Sequence, residues 1–153
     1  MNLFYPFNKQ VFLEAQDQKE IIDAIREAET QTSGEIRLYL ESHCKYVNPL
    51  DRAAEIFWNL RMDETKDRNG VLIYIAVKDH QFAILGDKGI YEALGPEFWQ
   101  NEVAAMRLHF QENHFKDAIL LVIRDIGNAL RIHFPYSGKT DKNELPDDIV
   151  FGN

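Results

Sequence analysis

The chain has 153 residues, 45% of them hydrophobic, 12% aromatic and 27% charged, which supplies one hydrophobic core and excludes a disordered chain. Against 17 basic residues stand 25 acidic ones, a net charge of -8, which repels phosphate backbones and anionic lipid and argues against a nucleic-acid partner. The one cysteine, Cys44, has no internal disulfide partner, and no apolar run approaches the ~18 residues of a membrane span.

Residues 1 to 13 are aromatic and irregular, with Pro6 opposing an early helix, and are expected to lie as an arm on the surface. They lack a basic segment followed by a sustained apolar one, so the expected location is cytoplasmic. From Ala15 to Thr32, Ile21, Ala24, Ile25 and Ala28 recur at helical spacing, with Asp17, Glu20 and Asp23 toward the N-terminal end of the dipole. After Gly34, Ile36, Leu38 and Leu40 alternate with Arg37, Tyr39 and Glu41, which predicts a strand with one face in the core.

Asn48-Pro49 followed by Asp51 is a helix start: a cap, a proline suited to the first turn and an acid that complements the dipole. That helix is predicted to reach Arg61, with Leu50, Ala53, Ala54, Phe57 and Leu60 inward and Trp58 on the flank. Val71 to Val77 is a continuous apolar run, which suits a central strand covered on both faces. A strand, helix and strand in succession predict two parallel strands. The short gap from Lys78 to Gln81 predicts a hairpin and an antiparallel third strand. Gly95-Pro96 opens a helix carrying Trp99, Val103, Met106 and Phe110. The last helix carries Phe115, Ile119, Val122, Ile126 and Leu130, with Gly127 calling for a close helix contact, and Phe134-Pro135 ends it. The result is one domain over residues 1–135, a three-layer α/β/α sandwich around a small mixed sheet, and a mostly extended tail over 136–153 whose Ile149, Val150 and Phe151 are expected to dock.

The common nucleotide, nucleophile and zinc-protease motifs are absent. His109 and His114 are five residues apart, a spacing that does not place both on one helix face, and all five histidines are taken as surface or cap residues. Topology offers more. The starts of the two parallel strands and the end of the third share one sheet edge, which gathers Glu35, Asp67, Asn69 and Asp87, with Asp63 and Glu64 in the preceding turn. Oxygen ligands of this kind suit a hard ion, Ca²⁺ or Mg²⁺, and Arg68 and Lys88 beside them are placed to orient an anion. Acidic and amide residues beside glycine are equally what ordinary turns contain. The opposite edge collects Glu41, His43, Cys44, Asp79 and His80, a weaker candidate for a transition metal or a reactive thiol.

The segments TSGEIRLYLES and RNGVLIYIAVKDHQFAILGDKGI, the FW pair, a glycine-containing last helix and HFP together resemble the TPM domain family. The likeness covers about Phe12 to Pro135 and is most specific in the NGVL strand and the GDKG turn. It implies an α/β/α sandwich with a mixed sheet and divalent-ion binding, notably of calcium, in loops along one sheet edge; some family members are associated with acid phosphatase activity. Many bacterial relatives carry a signal peptide and a following membrane helix, so this chain is expected to be a stand-alone, soluble bacterial member. Where other TPM domains have a GYGLEG-like turn, this chain has Gly86-Asp87-Lys88-Gly89-Ile90. Two functions follow as expectations. The first is a calcium-binding, non-catalytic module, monomeric, that interacts with another protein. The second is a metal-assisted phosphatase acting on phosphomonoesters, with Asp87 orienting water and Arg68 or Lys88 neutralising charge.

Overall fold

The computed structural model describes residues 12–136 and 149–152, so the expected arm up to residue 11 and the tail over 137–148 lie outside the described residues. The elements in order are α1 (Ala15–Glu29), β1 (Glu35–Glu41), α2 (Pro49–Asn59), a 3-10 turn (Met62–Glu64), β2 (Gly70–Ala76), β3 (Gln81–Gly86), α3 (Lys88–Leu94), α4 (Pro96–Gln111), α5 (Phe115–His133) and β4 (Ile149–Phe151). The four strands form one mixed sheet in the order β3-β2-β1-β4. β1 runs parallel to β2, with Glu35 opposite Gly70, and β3 returns antiparallel, with Val71 opposite Gly86. No helix among the described residues is long and apolar enough to cross a membrane.

The sheet separates two unequal cores. On one face Ile36, Leu38, Leu40, Val71, Ile73 and Ile75 pack against Ile21 and Ile25 of α1, Trp99 and Met106 of α4 and Ile119 to Leu130 of α5. On the other, Leu72, Tyr74 and Ala76 meet Ala53, Ile56 and Phe57 of α2 and Met62. The apolar run of β2 is buried throughout, as expected of a strand covered on both faces. β1 departs from the one-faced strand its alternation predicts. Arg37 and Glu41 are buried as well, because α2 covers the second face and Glu41 finds charged and hydroxyl partners there.

Several boundaries differ in instructive ways. Asn48 caps α2, its side chain accepting from the Leu50 amide at 2.9 Å. The buried stripe of that helix is Ala53, Ile56 and Phe57, whereas Leu50 and Ala54 face outward. A single helix on a narrow sheet buries about three positions per two turns, and the i, i+3, i+4 set is the one that meets Leu72 and Tyr74. The expected turn at Gly86 to Ile90 instead opens α3. The tail docks by a specific route: Ile149 pairs with Leu38 and Phe151 with Leu40, parallel to β1, which makes β4 an edge strand. Gly127 meets its predicted close contact, since a Cβ there would lie 2.9 Å from that of Ala28 in α1.

Candidate functional site

The sheet edge singled out in the sequence is built by the segment between the 3-10 turn and β2 together with the start of α3. Asp87 leaves β3 with its amide donating to the Gly70 carbonyl at 2.9 Å and then caps α3, its Oδ1 accepting from the Lys88 amide at 2.7 Å. The carboxylate is 7% exposed. Arg68 closes over it in a two-point ion pair, Nε to Oδ2 at 2.7 Å and Nη2 to Oδ1 at 2.9 Å. That side chain is 47% exposed, and hydrogen bonding to Asp87 first, then its charge, raises the guanidinium pKa, with Asp63 adding a smaller effect.

The backbone is as tightly made as the ion pair. Arg68 sits in the left-handed region at φ 52, and its carbonyl accepts from the amides of Gly89 at 2.8 Å and Ile90 at 3.2 Å. The 67–69 loop is thereby sewn to the first turn of α3. A Cβ on residue 89 would stand 2.1 Å from the Asp67 carbonyl oxygen, so only glycine allows this approach.

Among the described residues, no three of Glu35, Asp63, Glu64, Asp67 and Asp87 bring their carboxylate oxygens within 4.8 Å of one another. Asp87 and Asp63 both act on Arg68, as the ion pair and the influence on the guanidinium pKa show. Asp67 and Glu64 are exposed on the same segment. Glu35 opens β1 in the alternation of Arg37, Tyr39 and Glu41, and so lies on the α2 side. Asn69 precedes β2 in the alternation of Val71 and Ile73, on the opposite side, where its amide nitrogen donates to Ser33 Oγ at 3.0 Å and its backbone N–H to Thr65 Oγ1 at 3.1 Å. Its Oδ1 is buried without a hydrogen-bond partner among the described residues. Lys88 is exposed.

At the other end of the sheet, Glu41 is 4% exposed and accepts from Arg52 Nε and Nη2, both at 2.9 Å, and from Tyr74 Oη at 2.5 Å. Nearby, Asp79 accepts from the Cys44 amide at 2.6 Å and pairs with His43 Nδ1 at 2.8 Å. The His43 bond first, then the Cys44 amide, holds the Asp79 carboxyl below its ordinary range. Asp79, His43 and Cys44 are thus paired with one another, whereas Glu41 is engaged by Arg52 of α2 and Tyr74 of β2, and His80 is exposed in the β2–β3 turn.

The sequence reading dispersed one group that the structure assembles. His109, Glu112 and His114 bring their ligand atoms within 4.8 Å of one another. Residues five apart do not share a helix face, but here α4 ends between them and the chain doubles back. The signal lay in Glu112-Asn113, since Asn accepts the left-handed conformation that reverses a chain after a helix.

The match to known proteins follows this architecture. The family model of the TPM domain matches residues 7–129. The chain belongs to the TPM domain family. As a TPM domain it is similar to the BA42 protein of the psychrophilic bacterium Bizionia argentinensis, whose NMR structure shares 46% identity at a TM-score of 0.83 and covers 92% of this chain and 96% of that one. The N-terminal domain of the cg2496 protein of Corynebacterium glutamicum shares the fold at 15% identity and a TM-score of 0.63, covering 83% of this chain and 82% of that one. Among curated proteins no sequence matches the chain.

Proposed function

We propose that this TPM domain is a divalent-cation-binding, non-catalytic interaction or regulatory module, with calcium as the ion and Asp87 as its central ligand. The observation that supports it is the electrostatic design at Asp87. A nearly buried carboxylate at the sheet edge has as its counter-charge an arginine whose side chain is 47% exposed to solvent. Asp63, Glu64 and Asp67 stand on the adjoining segment as further hard oxygen donors, the type calcium takes. In this reading Arg68 acts as the resident cation of the metal-free chain, and calcium binding exchanges the guanidinium for the ion. Glu35 and Asn69, on opposite sides of the sheet, frame the site and do not share the ion.

The same pairing disfavours the phosphatase alternative. Arg68, the group that would neutralise a phosphoryl oxygen, and Asp87, the group that would orient water, are engaged with each other. Calorimetric titration with CaCl₂ and MgCl₂ tests the proposal. Binding is expected to vanish in Asp87→Ala and to tighten in Arg68→Gln, which removes the competing cation. Calcium affinity unchanged in both variants, with the fold intact by circular dichroism, overturns it.

A further inference from the structure

The α4–α5 turn lies away from the acidic edge, beside the β2–β3 hairpin, where Phe110 packs on Phe82 at 5.3 Å between ring centroids. We infer that His109, Glu112 and His114 form a site for a first-row transition ion such as Zn²⁺, with two imidazole nitrogens and one carboxylate oxygen as ligands.

The backbone makes the arrangement. His109 is in the last turn of α4, and its carbonyl accepts from the amides of Glu112 at 3.1 Å and His114 at 2.9 Å. Asn113 takes the left-handed conformation, φ 62, that reverses the chain. The imidazole of His114 is thereby folded back toward that of His109, with ring centroids 6.3 Å apart. The ligands alternate with anchors that hold the turn. Phe110 and Phe115 pack edge to face at 5.4 Å, and Phe12 packs against Phe115 at 4.6 Å. A rigid turn pinned by aromatic residues, with donors projecting between them, presents a metal with a nearly formed site.

Distance and chemistry agree. Tetrahedral ligands ~2.0–2.1 Å from zinc stand roughly 3.4 Å from one another. The three ligand atoms lie within 4.8 Å, and His114 Nδ1 already stands 3.6 Å from Glu112 Oε1. The remaining closure falls to the Glu112 and His114 side chains, 57% and 56% exposed and able to rotate. His109 Nδ1 is buried with no hydrogen-bond partner among the described residues. Two cations beside the turn are engaged elsewhere: Lys116 stands 3.4 Å from Glu20, and Arg124 stands 3.5 Å from Asp125. Imidazole nitrogen selects zinc, nickel or copper over calcium, so this site and an all-oxygen calcium site answer to different ions. Three protein ligands leave a tetrahedral ion one position for water.

Calorimetric titration of the intact chain with ZnCl₂, in calcium-containing buffer, tests the inference. One zinc per chain is expected. His114→Ala and His109→Ala should each weaken binding by more than the ~10–100-fold that loss of even an outer partner costs, while His43→Ala, beside Cys44 and Asp79, should leave it unchanged. Cobalt(II) in place of zinc should give the visible absorption of a four-coordinate ion, lost in His114→Ala. Among the described residues that exposed side chain makes its only polar contact with Glu112, at 3.6 Å, so its variant decides the matter even if His109→Ala unfolds. Zinc affinity equal to wild type in His114→Ala, binding lost only in His43→Ala, or no binding at a molar excess of zinc overturns the inference. None of these outcomes depends on whether calcium binds at Asp87.

Discussion

Two buried carboxyl groups set opposite pH dependences on this domain. Glu102 of α4 is 7% exposed. Burial first, then a hydrogen bond and like charge from Asp125 of α5, push its pKa from 4.5 up to about 8. Between those values the native chain holds a proton that the unfolded chain has released. Stability therefore falls as pH rises across that window and levels off above it. Glu102→Gln removes the dependence: it should match wild type near pH 4.5 and exceed it above pH 8 by roughly 1–2 kcal/mol, since solvent reaches part of the pair. Urea unfolding at both ends of the range checks this. Glu41 acts the other way. Burial opposes its ionisation, but hydrogen bonds from Arg52 and Tyr74 outweigh it and hold the carboxyl below its ordinary range. Its contribution is present above the unfolded pKa and is lost as pH falls through the folded one. Tyr74→Phe should cost ~1.5–3 kcal/mol at neutral pH, as for a hydrogen bond to a charged group, with a smaller deficit in acid. Periodicity placed Glu41 correctly on β1 but could not reveal its partners. Arg52 follows it by eleven positions and Tyr74 by thirty-three.

At the scale of elements, two glycines mark where neighbouring segments come closest. Gly89→Ala drives a Cβ into the Asp67 carbonyl and should cost ~1–3 kcal/mol, as overpacking does. It should also loosen Arg68 and weaken any ion held at Asp87, which a paired melting and calcium titration would detect. Gly127 was legible in the sequence, because a glycine amid Ile126, Leu130 and Val122 is costly unless something approaches it. Gly127→Ala sets a gain of about 1 kcal/mol in helix propensity against a contact with Ala28, and the contact should win. The long periodic helices and the apolar β2 were readable for the same reason, since each repeats its signal over many residues. α3 was not. Its seven residues include Gly89 near the start and are followed at once by Gly95-Pro96; the Asp87 cap is local, but the Arg68 carbonyl that holds the first turn comes from a distant part of the chain and leaves no local signal. The histidine turn escaped because spacing rules assume one helix where the chain makes two.

For the molecule as a whole, the decisive asymmetry is in the sheet. One face is covered by α1, α4 and α5 and the other chiefly by α2, so the second face has less to lose and less to hold it. β4 supports the far edge of β1. Ile149, 7% exposed, joins the larger core. Ile149→Asp should destabilise the domain by about 2–3 kcal/mol, the burial of one aliphatic side chain with the cost of a charge in its place. Deleting residues 149–153 should lower the melting temperature and increase aggregation measured by light scattering, because β1 would present an open edge. Composition predicted that Ile149, Val150 and Phe151 would dock. It could not predict where, since three residues carry no register and the pairing partner lies over a hundred positions away.

That separation has a consequence during synthesis. Leu38 pairs with Ile149, and at a translation rate of ~5–20 residues per second the ribosome needs roughly 6–20 seconds to travel between them. Once β2 has followed, β1 can pair with it on one side while its other edge waits, open to the same exposed β1 edge of neighbouring nascent chains. On a polysome, the risk of one copy capturing another's strand is set by that delay.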